Sequence, residues 1–189
     1  DIKHVVKGVV PNNATKITEH ESKPIFHSLN GLMKKSENLT AELLVKHIGL
    51  TVFDTVGSWK NGLLAIKTFL HDSVGIDTNT FSLSDGSGLS RYNYTSPNHF
   101  ISALSWAYNN KNIRDQFLDT FPIGGVDGTL ENRLENIDTT TTILAKTGSL
   151  SGASCLSGYI ISKTNSPIAF SILINGFVNS SLPYRNLQD

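Results

Sequence analysis

The sequence predicts an α+β fold of mixed type, with helices packed on an antiparallel sheet. Two observations carry that expectation. Apolar residues recur at three- and four-residue spacing through the first two thirds, and the last third switches to short β-branched and apolar runs divided by turn residues. The 189 residues suffice for one domain or a large piece of one.

Residues 1–24 are polar and aperiodic, with Pro11, Asn12, Asn13 and Pro24. From Ile25 to Lys35, Phe26, Leu29, Leu32 and Met33 define a helical face, and Leu39–Ile48 repeats the pattern through Leu43 and Leu44. The polar break Lys35-Ser36-Glu37-Asn38 joins these two helices by a short turn, and Gly49 supplies a stop for the second. Trp59–Val74 reads as a third helix, with Leu63, Ile66, Leu70 and Val74 on one face. Thr80–Leu83 reads as a short strand running into the loop Ser84–Ser90. Ser96 as N-cap and Pro97 in the first turn start a fourth helix to Tyr108, and Asn112–Thr120 reads as a fifth. Asp127-Gly128 reads as a turn before a helix beginning near Leu130. Thr139–Ala145, Leu156–Ser162 and Ile168–Ile174 have hairpin spacing, the last two separated by Thr164-Asn165-Ser166-Pro167.

Composition narrows the function. Sixteen basic residues balance sixteen acidic ones, and no basic run exceeds Lys34-Lys35, so nothing marks a nucleic-acid or membrane surface. Hydrophobic residues make up 39% and charged ones 17%, the latter below the ~25% usual for soluble domains. Ser, Thr and Asn take the place of the missing charges. The single Cys155 excludes an internal disulfide and reads as a small packing residue, since no base lies near it in sequence. No apolar run approaches the ~20 residues that span a bilayer. The chain begins at Asp1 without a signal-peptide pattern, so a segment is expected upstream.

The histidines (His4, His20, His27, His47, His71 and His99) form no His-Glu-x-x-His pair, and no metal site is expected. Phosphate-loop, dinucleotide and Gly-x-Ser-x-Gly signatures are absent. What stands out is Lys146-Thr147-Gly148, expected at the end of a strand and followed by Ser149. Ser-x-Asn occurs three times, at Ser28, Ser36 and Ser96, and each copy taken alone reads as a cap or turn. The glycines of Asp85–Ser90 read as permitting a tight turn, and Arg91 as a partner for a carboxylate.

Lys-Thr-Gly and Ser-x-Asn together are two of the three motifs of penicillin-interacting serine enzymes. In order along the chain come Met33-Lys34-Lys35-Ser36-Glu37-Asn38, Ser84-Asp85-Gly86-Ser87-Gly88-Leu89-Ser90-Arg91-Tyr92-Asn93, Gly124-Gly125-Val126-Asp127-Gly128-Thr129-Leu130 and Lys146-Thr147-Gly148-Ser149-Leu150. From about Ile25 to Phe177 the chain thereby resembles the D-alanyl-D-alanine carboxypeptidase/endopeptidase family of the penicillin-binding protein 4 (DacB-like) type, peptidase family S13. The resemblance selects Ser36-Glu37-Asn38, 110 residues before Lys146, as the second motif.

The resemblance implies a C-terminal part of a penicillin-binding, β-lactamase-like transpeptidase domain over residues 1–189. It implies acyl-enzyme chemistry on peptidoglycan stem peptides ending in D-Ala-D-Ala, inhibition by β-lactam antibiotics, no cofactor, and a periplasmic or otherwise extracytoplasmic location. Ser36 would relay a proton to the leaving group, Asn38 would bind the substrate's peptide carbonyl, and Lys146 would supply positive charge. Thr147 and Ser149 would hold the terminal carboxylate, the Ser149 N–H would form half of an oxyanion hole, and Gly148 would leave room for substrate. No serine here is followed three residues later by lysine, so the nucleophilic Ser-x-x-Lys is expected in a missing N-terminal part and this chain alone is expected to be inactive. Without that part, Thr139–Ala145 or its neighbours would keep an unpaired apolar edge. Two alternatives stay open: a serine β-lactamase, distinguished by turnover of penicillin, and a non-catalytic peptidoglycan- or partner-binding module, distinguished by binding without acylation.

Overall fold

A computed structural model describes residues 8–135 and 138–189; His4 lies outside them. Among the described residues, six α-helices and three strands follow one another as α1 (Ile25–Lys35), α2 (Asn38–Phe53), α3 (Trp59–Asp72), α4 (Pro97–Asn109), α5 (Arg114–Thr120), β1 (Thr141–Leu150), β2 (Ala153–Ser162), β3 (Ile168–Asn175) and α6 (Leu182–Gln188). A 3₁₀ turn, Gly128–Leu130, precedes the strands. The fold is the expected α+β arrangement.

Helices α1 and α2 meet as the spacing predicts, with only Ser36 and Glu37 between them. Gly49, however, does not stop α2, which runs on to Phe53 and ends at Asp54 in the left-handed region. The glycine answers a packing need. A Cβ there would lie 2.6 Å from the Gly62 nitrogen of α3, and a Cβ on Gly62 would lie 1.9 Å from the Val45 carbonyl oxygen, so the two backbones touch. Helix α4 carries its expected cap: Ser96 and His99 exchange hydrogen bonds, and Pro97 occupies the first turn. Thr80–Leu83 is not a strand but a single bridge, Ser82 to Tyr94. Only the 3₁₀ turn replaces the helix expected near Leu130.

β1, β2 and β3 form an antiparallel meander in that order, with Ala145 opposite Gly158 and Ser157 opposite Ser171. Alternation of side chains gives the sheet two buried faces. On one, Leu144, Tyr159, Ile161 and Ala169 meet Leu104 of α4, Phe121 and the helices around it, and the Tyr159 hydroxyl donates to the Leu104 carbonyl at 2.7 Å. On the other, Ala145, Leu156 and Phe170 pack on Leu130 and Leu134. Helix α6, whose seven residues carry too weak a period to find in the sequence, closes that side, where Ser154 and Arg133 bond Gln188.

Between Phe121 and Leu130 the chain crosses from one face of the sheet to the other around the outer edge of β1. It pairs there briefly: Gly124 N–H donates to the Ile143 carbonyl at 2.9 Å, and Ala145 N–H donates to the Pro122 carbonyl at 3.1 Å. The edge expected to be unpaired at Thr139–Ala145 is therefore partly covered. The outer edge of β3 has no such bridge among the described residues.

Candidate active site

The expected site residues fall on two elements that the fold brings together. Ser36 caps α1 with φ 56°, a left-handed conformation that costs energy for any residue bearing a Cβ, and Asn38 follows as the first residue of α2. Both are exposed. Lys146-Thr147-Gly148-Ser149 lies inside β1 rather than beyond its end, because the strand extends to Leu150. Lys146 shares its strand face with Leu144, so it points towards the helices. Its Nζ donates to Ser36 Oγ at 2.7 Å and to the Thr147 carbonyl at 2.9 Å. Burial pushes the Lys146 ammonium pKa down from that of a free lysine.

Thr147 points to the opposite face, and its hydroxyl donates to Thr129 Oγ1 at 2.9 Å. The pairing with Pro122 and Gly124 directs the outer polar groups of residues 143 and 145 away from β2. By the two-residue period, Thr147 and Ser149 turn their N–H and C=O groups to the same edge. That edge is covered from Ile143 to Ala145 and open from Lys146 onward among the described residues. Gly148 is exposed, and a Cβ built on it would meet only the Cys155 Cβ, at an ordinary 3.4 Å. The fold itself thus makes no demand for glycine there.

Other functional side chains were not legible. Arg91 meets no carboxylate among the described residues: its Nη2 donates to the Ser151 carbonyl in the β1–β2 turn at 2.9 Å. Glu42, on α2, accepts from Trp59 Nε1 at 2.7 Å and from the N–H groups of Gly86 and Ser87 at 3.1 and 3.0 Å, fastening the Ser84–Ser90 loop to the helix. No local sequence pattern announces so distant a partner. Burial would raise the Glu42 pKa, but hydrogen bonds from Ser87, Trp59 and Gly86 outweigh it and lower the carboxyl to about 2. Because the folded-state value lies below the ordinary one, this carboxylate's contribution to stability is complete above about pH 4.5 and is lost as pH falls towards about 2. Glu42→Ala is expected to cost ~1–3 kcal/mol near neutrality by orphaning its donors. The gap in melting temperature from the wild type should close on acidification, and a gap independent of pH would contradict this role.

Cys155 sits half-buried on β2 beside Gly148, and burial raises its thiol pKa. A Cys155 thiol held protonated in this way is a poor nucleophile.

The fold is the one shared by penicillin-binding proteins and β-lactamases. The crystal structure of penicillin-binding protein 4 (dacB) from Haemophilus influenzae matches with a TM-score of 0.79 at 34% identity, over 89% of this chain and 40% of that one. The TLA-1 β-lactamase matches with a TM-score of 0.66 over 86% of this chain and 59% of that one, at 18% identity, which shows the fold alone. The chain belongs to the D-Ala-D-Ala carboxypeptidase 3 (S13) family, which matches residues 2–189. Among curated relatives, the D-alanyl-D-alanine carboxypeptidase DacB of H. influenzae is 34% identical over 91% of this chain and 36% of its own length. The D-alanyl-D-alanine carboxypeptidase of Actinomadura sp. strain R39 is 35% identical over 87% and 31% respectively. This chain spans about a third of the length of the relatives it matches.

Proposed function

We propose that this chain is the C-terminal part of the penicillin-binding domain of a serine-type D-Ala-D-Ala carboxypeptidase/endopeptidase, and that it supplies the second and third active-site motifs. The observation that carries the reading is the contact of Lys146 Nζ with Ser36 Oγ beside an open strand edge. A substrate peptide laid on that edge would find the outward backbone groups of Thr147 and Ser149, the mode by which an extended peptide adds to a sheet.

The nucleophile comes from a Ser-x-x-Lys in the N-terminal part of the protein. Its oxygen attacks the carbonyl of the penultimate D-Ala, the Ser149 N–H helps stabilise the oxyanion, and the C–N bond breaks to leave an ester. Ser36, held by the Lys146 ammonium, passes the proton to the departing amine; Asn38 binds the substrate's peptide carbonyl. Thr147, Ser149 and the charge of Lys146 hold the terminal carboxylate. Water then hydrolyses the ester. No step calls for a cofactor. The substrate class, a peptidoglycan stem peptide, places the protein outside the cytoplasmic membrane, and β-lactams would acylate the same nucleophile.

Two surfaces support a partner in the rest of the protein. One is the outer edge of β3, with Ile168 56% exposed. The other is the apolar face of α1 and α2, where Ile25 and Leu43 are each 55% exposed. Soluble domains rarely leave such features uncovered.

Intact-mass spectrometry with excess penicillin tests the reading. The full-length protein should gain one penicilloyl group on a peptide outside residues 1–189, and this chain alone should gain none. An adduct within this chain would overturn the assignment of the nucleophile. Rapid turnover of penicillin without a lasting adduct would favour a β-lactamase.

A further inference from the structure

Ser36 and Thr147 belong to different layers of the fold, yet one four-residue segment, Asp127 to Leu130, touches the supports of both. Asp127 forms an ion pair with Lys34, in the last turn of α1, two residues before Ser36. The other Asp127 oxygen accepts from the Ile123 N–H at 2.8 Å, tying the pair to the segment that bridges to β1. Gly128 follows at φ +60°, and a Cβ there would fall 2.6 Å from the Lys34 carbonyl oxygen, so the turn rests on the backbone of α1. Thr129 then meets the Thr147 hydroxyl at 2.9 Å. Leu130, fully buried with Ala145 and Leu156, anchors the turn in the core.

We infer that Asp127 and Thr129 are positioning residues of this active site: Asp127, through Lys34, holds the left-handed Ser36 against Lys146, and Thr129 aims the hydroxyl of Thr147. The inference rests on the proposed acyl-transfer reading.

Two physical needs support it. A non-glycine residue at φ 56° keeps that conformation only where its surroundings impose it, and the Lys34–Asp127 pair fastens the helix end immediately before it. A hydroxyl has one proton and two lone pairs. When Thr147 turns its proton to a carboxylate, Thr129 can reverse its role and donate to Thr147, holding Oγ1 in place. The side chain of a Thr129→Val variant fills similar space and cannot do this.

The test uses full-length protein, with the second-order rate of acylation by penicillin and the melting temperature measured side by side. Asp127→Asn and Lys34→Met should each slow acylation by about 10- to 100-fold, as misplacement of a reacting group does. The double variant should be no slower than either single one, and Lys34→Arg should recover most of the rate. Thr129→Val should lose preference for a ligand with a free carboxylate over its carboxamide, and Thr129→Ser should restore it. Losses that merely track melting temperature, additive effects of the Lys34 and Asp127 variants, or Thr129→Val retaining wild-type carboxylate preference would overturn the inference. A wild-type protein that is not acylated, or a Lys146→Ala variant that acylates normally, would overturn the underlying reading instead.

Discussion

Replacing Lys146 by alanine in the full-length protein is expected to slow acylation by penicillin about 10³-fold, the scale on which a preorganised charge at a developing oxyanion or leaving group acts. The ammonium has two jobs that alanine cannot do. It holds Ser36 Oγ at 2.7 Å, and it places a positive charge beside the open edge of β1. Arginine should not restore the rate, because its planar guanidinium cannot occupy the position of a compact ammonium between Ser36 and the Thr147 carbonyl. The pH profile carries a second signature. Burial lowers the Lys146 pKa, and the proposed mechanism uses the protonated form, so activity should fall on the alkaline side below the 10.5 of an ordinary lysine. Stopped-flow acylation across pH reads both effects. Wild-type rates in the alanine variant would remove Lys146 from the reaction.

The largest loss of stability is expected from Gly158→Ala. Gly158 lies opposite Ala145 in the β1–β2 ladder, and a Cβ on it would sit 2.0 Å from the Leu144 carbonyl oxygen and 2.6 Å from the Ala145 Cα. These are backbone atoms of a neighbouring strand, and Ala145 is completely buried, so neither side can yield without parting the sheet. The expected cost is ~3 kcal/mol or more, in the range of severe overpacking. Because β1 carries Lys146 to Ser149, activity should fall with stability. Gly148→Ala provides the contrast on the adjoining strand. Its Cβ meets only Cys155, at 3.4 Å, so the variant should melt like the wild type yet acylate slowly if substrate lies beside the strand. Thermal unfolding of the two variants beside their acylation rates tests the pair. Equal melting of Gly158→Ala and wild type would refute the packing account.

Local signals predicted what local physics decides. α1 was legible to the residue because its apolar face and its polar end coincide, and α4 because Ser96-Pro97 is an unambiguous start. The errors arose where a distant partner decides. Gly49 looks like a helix stop, and only the approach of α3 explains why a glycine sits in mid-helix. β1 outruns its β-branched core because ladder bonds to β2 carry Lys146-Thr147-Gly148 into the strand. Among the candidate site residues, motif order found Ser36 and Lys146, which 110 residues separate and one hydrogen bond joins. Asp127 reads as a turn residue and nothing in the sequence marks Glu42, since the charge and loop they serve lie far away in sequence.

The short crossing of Pro122–Gly124 over the edge of β1 makes that edge a cul-de-sac. An extended peptide pairing antiparallel with β1 would run its C-terminal end towards Ala145, where the Ala145 N–H is already spoken for by Pro122. There is berth alongside Lys146 to Leu150 and a wall beyond it. A chain terminus fits such a berth, whereas a chain passing through must bend away from the sheet to get out. On the proposed reading, the same three residues that finish the sheet would act as a length gauge, favouring ligands that stop where the strand edge stops.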